Sequence, residues 1–205
     1  MEEASPATPS RWRLGALYSR AMPVYICLLR GVNVTGYNKI KMEELRALCT
    51  KLKFEGAQTF IQSGNVIFRC PETNEAALAK KIGDAIEKKF GFRPEIMLRT
   101  ADELRAVVAA NPFKKRKDVP PDRMLVHFLL SEPLEEVRTK LNGTEKIEEV
   151  HFKGREIYIY FPDGIGRSDL RSVLDRTLKK TATARNFNSV MKILEIAETL
   201  ESGTN

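Results

Sequence analysis

After residue 22 the spacing of apolar and polar positions alternates between the strand period and the helix period. Val24 to Leu29 is an almost unbroken apolar run, the pattern of a strand covered on both faces. Met42, Leu45, Leu48, Cys49 and Leu52 follow helical spacing, with Glu43 and Glu44 at the positive helix end. Ala57 to Ile61 and Asn65 to Phe68 flank Ser63-Gly64 and predict a β-hairpin. The next helix has Thr73 as a candidate N-cap, a stripe through Leu78, Ile82, Ala85 and Ile86, Lys88-Lys89 in the last turn, and Gly91 to close it. Glu95 to Arg99 is a fourth strand, and Thr100-Ala101-Asp102-Glu103 fits a capping box ahead of Leu104, Val107 and Val108.

The same order then returns. Met124 to Leu130 predicts a strand, Leu134 to Leu141 a short helix, Ile147 to Phe152 and Glu156 to Phe161 a hairpin, and Leu170, Val173, Leu174 and Leu178 a helical stripe. Thr181 to Phe187 is a weaker strand, followed by a helix through Val190, Met191, Leu194 and Ala197. The expected fold class is α+β: two tandem ferredoxin-like (βαββαβ) subdomains, each followed by an extra helix. The expected divisions are 1–22, a disordered or leader segment; 23–110, subdomain 1; 111–123, a linker; 124–200, subdomain 2; and 201–205, a tail. The repeat lies in the order of elements, since residue identity between the halves is poor.

Composition narrows the picture. A chain of 205 residues with 42% hydrophobic content can bury a sizeable core without staples. Three widely spaced cysteines, Cys27, Cys49 and Cys70, read as buried thiols in a reducing compartment, hence a cytoplasmic expectation. Two histidines, His127 and His151, argue against a His-rich metal site, and no cofactor is expected. No apolar stretch is long enough to span a bilayer. The net charge of +7 favours phosphate-bearing partners, with nucleic acid among the options. The densest basic run, Lys114-Lys115-Arg116-Lys117, lies between prolines and reads as an exposed connection.

Candidate chemistry concentrates at element ends. Gly31 and Gly36 have Walker-type spacing, but Tyr37 and Asn38 stand where Lys and Ser or Thr are required, which excludes an NTPase loop. A looser anion site remains, with Arg30, Asn33, Lys39 and Lys41 around a phosphate or carboxylate; the competing reading is a turn with solvated cations. Ser63 links two hairpin strands and lacks the strand-to-helix setting of a nucleophile elbow. Asn188 is a candidate N-cap and Phe187 a hydrophobic staple, which leaves Arg185 and Asn186 without a structural role. Gly164-Ile165-Gly166 lacks the third glycine of a dinucleotide loop; Ser168 as N-cap with Asp169 on the helix dipole suffices. His127 is expected to be a satisfied, partly buried histidine. The pairs Glu135-Glu136 and Glu148-Glu149 are adjacent in sequence, so their members point apart. Tyr158 and Tyr160 share one strand face, read either as a subdomain interface or as a base-stacking surface.

Leu28 to Val34, Asn38 to Met42, Ile61 to Phe68, Asn111-Pro112-Phe113 and Arg185 to Val190 together resemble motifs of the family called domain of unknown function 1697, in order from about Val24 to Ile196. The resemblance implies two ferredoxin-like subdomains and no established activity, cofactor or catalytic residue. The chain departs from the pattern at Thr35-Gly36-Tyr37, where the family is richer in glycine, and at Phe187, where Trp is more usual. The expected function is a non-catalytic binding module for an anionic small molecule or nucleotide, its site drawn from Arg30, Asn33, Lys39, Lys41, Ser63, Asn65, Arg185 and Asn186. An enzyme using the same loops, and an RNA-binding protein, are the alternatives.

Overall fold

A computed structural model describes residues 22–34, 36–143 and 147–203; the expected leader, up to residue 21, lies outside the described residues. The first half runs β1 (Val24–Leu29), α1 (Met42–Lys51), β2 (Glu55–Phe60), β3 (Asn65–Arg69), α2 (Glu75–Phe90), β4 (Ile96–Thr100) and α3 (Ala101–Ala109). The second runs β5 (Met124–Leu129), α4 (Glu135–Asn142), β6 (Glu149–Lys153), β7 (Glu156–Tyr160), α5 (Leu170–Leu178), β8 (Ala182–Asn186) and α6 (Phe187–Ser202). Two four-stranded antiparallel sheets result, ordered β2-β3-β1-β4 and β6-β7-β5-β8. The two strongest apolar runs, β1 and β5, are interior in their sheets, and residues 111–123 pass between the halves without joining either sheet.

Strand alternation assigns the layers. Tyr25, Cys27 and Leu29 of β1 face a core shared with α1 and α2, while Val24, Ile26 and Leu28 face the opposite way. In the second half, Ile157 and Ile159 of β7 pack with α4 and α5. The remaining faces of both sheets enclose α3 and α6 in one central core. The two helices pack on each other, and α6, although it belongs to the second half, also packs on β1 and β3. Burying each Leu, Ile or Phe fully contributes about 1.5–3 kcal/mol, so this shared core couples the halves strongly.

The helix ends differ in detail from the sequence reading. The capping box at Thr100 and the left-handed Gly91 (φ 78) are present as predicted. The α2 cap is Asn74, which accepts from Ala77 N, in place of Thr73. The α6 cap is Asn186, whose Oδ1 accepts from Asn188 N at 3.0 Å. Phe187 is therefore the first helical residue, buried in the core, and Asn188 lies inside the helix. The Ser168 hydroxyl accepts from Leu170 N, but Asp169 is already helical (φ −69, ψ −24) and occupies the cap position.

Candidate functional site

The loop after β1 is held by its own amides. Asn33, at φ 57, donates from Nδ2 to Ile40 O and to Gln62 O, and its Oδ1 accepts from Ile40 N at 2.9 Å. Asn38 donates to Gly31 O. Asn33 is thus consumed as a brace that ties the loop to the β2–β3 hairpin. Lys39 and Lys41 are exposed, and neither pairs with an acid among the described residues. They line an open depression of about 750 Å³ together with Asn33, Gln62 and the first turn of α1.

Arg30, Ser63, Asn65 and Arg185 do converge, across the boundary between the halves. Gly64 makes the approach possible: at φ +73, an added Cβ would sit 2.8 Å from Leu29 Cβ, so the hairpin turn lies directly against the end of β1. Arg185 reaches from β8 into this junction. Its Nε donates to Asn65 Oδ1, Nη1 to Thr183 Oγ1 and Ala184 O, and Nη2 to Leu29 O and Ser63 O at 2.9 Å. A guanidinium has five N–H donors. All five are used within the protein, which leaves none for a ligand.

Asn65 is fully buried and spends its Nδ2 on Phe60 O and Ser63 Oγ. Arg30 anchors Nε on Ala182 O at 2.9 Å, while its terminal amino groups donate to no described residue. Asn186 faces elsewhere, capping α6 and donating to Asp122 O. Of the residues expected to bind, Arg185, Asn65, Asn33 and Asn186 are structural, while Arg30, Lys39 and Lys41 keep cationic groups for solvent.

A counterpart that sequence reasoning missed lies at the other end of the interface. Arg99 of β4 donates from Nε to Glu156 Oε1 at 2.8 Å, from Nη1 to Leu98 O, and from Nη2 to Leu129 O and Arg155 O. The registers coincide: Ile26 pairs with Arg99 as Val126 pairs with Arg185, and Leu28 pairs with Asn65 as Phe128 pairs with Glu156. Each half therefore sends an arginine from its last strand into the end of the other half's first strand. A shared signal was present in the sequence: Arg99-Thr100 and Arg185-Asn186 each place an arginine directly before a helix cap.

Electrostatics separate the two ends. Arg185 is held down to about 10 by burial, and no carboxylate acts on it. At the Arg99 end, Arg155 adds a second cation, but Glu75 and Glu103 each pair with it at 2.9 Å. The Arg99 end is neutralised; the Arg185 end is not.

Other candidates for chemistry are disabled by burial. All three cysteines are buried and free; burial pushes the Cys27 thiol up and Cys49 up to about 12, which suppresses the thiolate. Burial lowers His127 to about 4. Contrary to expectation it is not satisfied, since its Nε2 finds no partner among the described residues: β5 aims the ring into the apolar layer under α4 and α5. Tyr158 is completely buried and donates to Val107 O of α3, and Tyr160 donates to Asp118 O, so neither ring is open to a base. No group of three His, Cys, Asp or Glu able to hold a metal occurs among the described residues, and no described helix is long and apolar enough to cross a membrane.

Comparison with known proteins agrees with this architecture. Residues 22–158 match the family described as "Protein of unknown function (DUF1697)", and the chain belongs to that family. Among solved structures it is similar to the conserved bacterial protein SP0830 from Streptococcus pneumoniae. The TM-score is 0.67 at 25% identity, covering 86% of this chain and 99% of that one. No curated protein matches.

Proposed function

We propose that the protein is a non-catalytic binding module for an anionic small molecule or nucleotide, built from two ferredoxin-like subdomains at 23–110 and 124–200 with 111–123 as their linker. The observation that carries this reading is a braced, cationic loop: Arg30, Lys39 and Lys41 lie on a segment fixed by Asn33, with no paired acid among the described residues. Oxyanions gain most where cations are held in place beforehand. The β-α-β-β-α-β element order in each half and the equivalent strand orders of the two sheets support the ferredoxin-like assignment. The suppressed thiols and the lowered imidazole of the half-buried His127 favour binding over catalysis. An RNA-binding reading loses its base-stacking surface, because Tyr158 and Tyr160 are interior. Three free buried thiols support a cytoplasmic location.

A thermal-shift panel of nucleotides and phosphorylated metabolites at constant ionic strength tests the reading. At least one should raise the melting temperature in a concentration-dependent way. A panel in which no anion outperforms chloride would refute it.

A further inference from the structure

The matching registers of the two halves give an internal control for charge. At the Arg99 end, two arginines from different elements, Arg99 and Arg155, meet the carboxylates of Glu156, Glu75 and Glu103. At the equivalent end, Arg185 and Arg30 meet only neutral oxygens: an amide, a hydroxyl and backbone carbonyls. The residue in register with Glu156, the carboxylate that holds Arg99, is Asn65, so the carboxylate facing the arginine is replaced by a neutral amide at the Arg185 end. A buried cation without a counter-charge is costly; Arg30 directly follows Leu29, whose carbonyl Arg185 holds, and is itself bonded to Ala182 O of the strand that carries Arg185. Arg30 is partly exposed and has its guanidinium fork aligned by the Nε bond, with both terminal amino groups available.

We propose that the Arg185 end of the interface is an oxyanion site: a phosphate or carboxylate group bound by the terminal amino groups of Arg30 supplies the counter-charge that Glu156 supplies at the other end. Arg185 acts through its field and its hold on the hairpin; it does not touch the ligand, because its donors are all occupied. The inference rests on the anion-binding reading above, but it moves the anchor from the lysine-lined depression to Arg30.

The test is a titration of the full chain with inorganic phosphate and, separately, with acetate, at ionic strength held constant with chloride. Thermal stabilisation is followed in the wild type, in Arg30→Ala and in the double variant Lys39→Ala/Lys41→Ala, each relative to its own anion-free baseline. Removing the charge-assisted contacts of Arg30 should weaken the apparent affinity about ten-fold or more. The lysine pair should retain most of the response; loss in both variants still assigns a required contact to Arg30. A response to phosphate alone marks a phosphate-bearing ligand, and one to both anions a general oxyanion site. Arg30→Gln replaces the alanine variant if that one does not fold. An unchanged response in the Arg30 variant overturns the inference. If the lysine variant alone loses the response, the anion-binding reading stands with its site at the depression; if the wild type responds to neither anion, both readings fall.

Discussion

At one end of the interface Arg99 is held by three backbone carbonyls and a carboxylate; at the other, Arg185 is held by three carbonyls, a hydroxyl and an amide. Position and register are alike, and of the groups that hold the two arginines only Glu156 is charged. Both arginines close the junction between a strand end and a hairpin in the opposite half. A cation is therefore needed for its donors at both places, while neutralisation is built into the chain at only one. Such a contrast separates what the fold requires, an arginine clasp on backbone carbonyls, from what distinguishes one end.

The largest effects should come from removing the clasps. Arg99→Met leaves the nearly buried Glu156 without its partner as well as stranding carbonyls, and we expect a loss on the order of 4 kcal/mol. Arg185→Met strands only neutral acceptors and should cost on the order of 3 kcal/mol, with Arg185→Lys restoring part because an ammonium has three donors. Urea unfolding of the three variants provides the comparison. If Arg185→Met costs more than Arg99→Met, the contrast in charge is not what separates the ends.

A second contrast lies on the outer faces of the sheets, where Cys27 of β1 corresponds to His127 of β5. Burial pushes the thiol up and the imidazole down to about 4, so of this corresponding pair only His127 titrates in mild acid. The unfolded chain takes up a proton near the ordinary histidine value of 6.5, whereas the folded one resists until about 4. Stability is therefore fully present above about pH 6.5 and falls as the pH drops toward 4. A shift of this size corresponds to about 3 kcal/mol. Melting temperatures between pH 7 and pH 4.5 should show this slope in the wild type and a shallower one in His127→Leu. Equal slopes would mean that His127 is not the titrating group.

A smaller effect is expected at the shared core. Tyr158→Phe removes the hydroxyl that reaches Val107 O and leaves that carbonyl without the bond, for a loss of about 1 kcal/mol by denaturant midpoint. No change would mean that α3 is held against the second sheet by packing alone.

Much of this arrangement was legible along the chain. The run of β1 is almost unbroken and that of β5 is interrupted only by His127, which places them inside their sheets, and Thr100 with Glu103 announces a capping box. The location of Arg30, Ser63, Asn65 and Arg185 at element ends was legible, but whether those ends meet was not. Nor was the use of Arg185, because its partners are mostly backbone carbonyls, which carry no side-chain signature. Arg99 was overlooked for the same reason: a single arginine near the end of an apolar strand looks like a solvated terminus until the opposite hairpin is seen to cover it. The shift of the α6 cap from Asn188 to Asn186 reflects competition between two asparagines, decided when Phe187 enters the core as the first helical residue.

The most direct test of the missing counter-charge is a phosphate titration of Asn65→Asp, which places a carboxylate in register with Glu156 beside Arg185. Read as the phosphate-dependent rise in melting temperature from each protein's own baseline, the response should weaken several-fold relative to wild type, because the chain now supplies the charge itself. A phosphate response equal to that of the wild type would contradict the claim that the Arg185 end binds an anion for want of an acid.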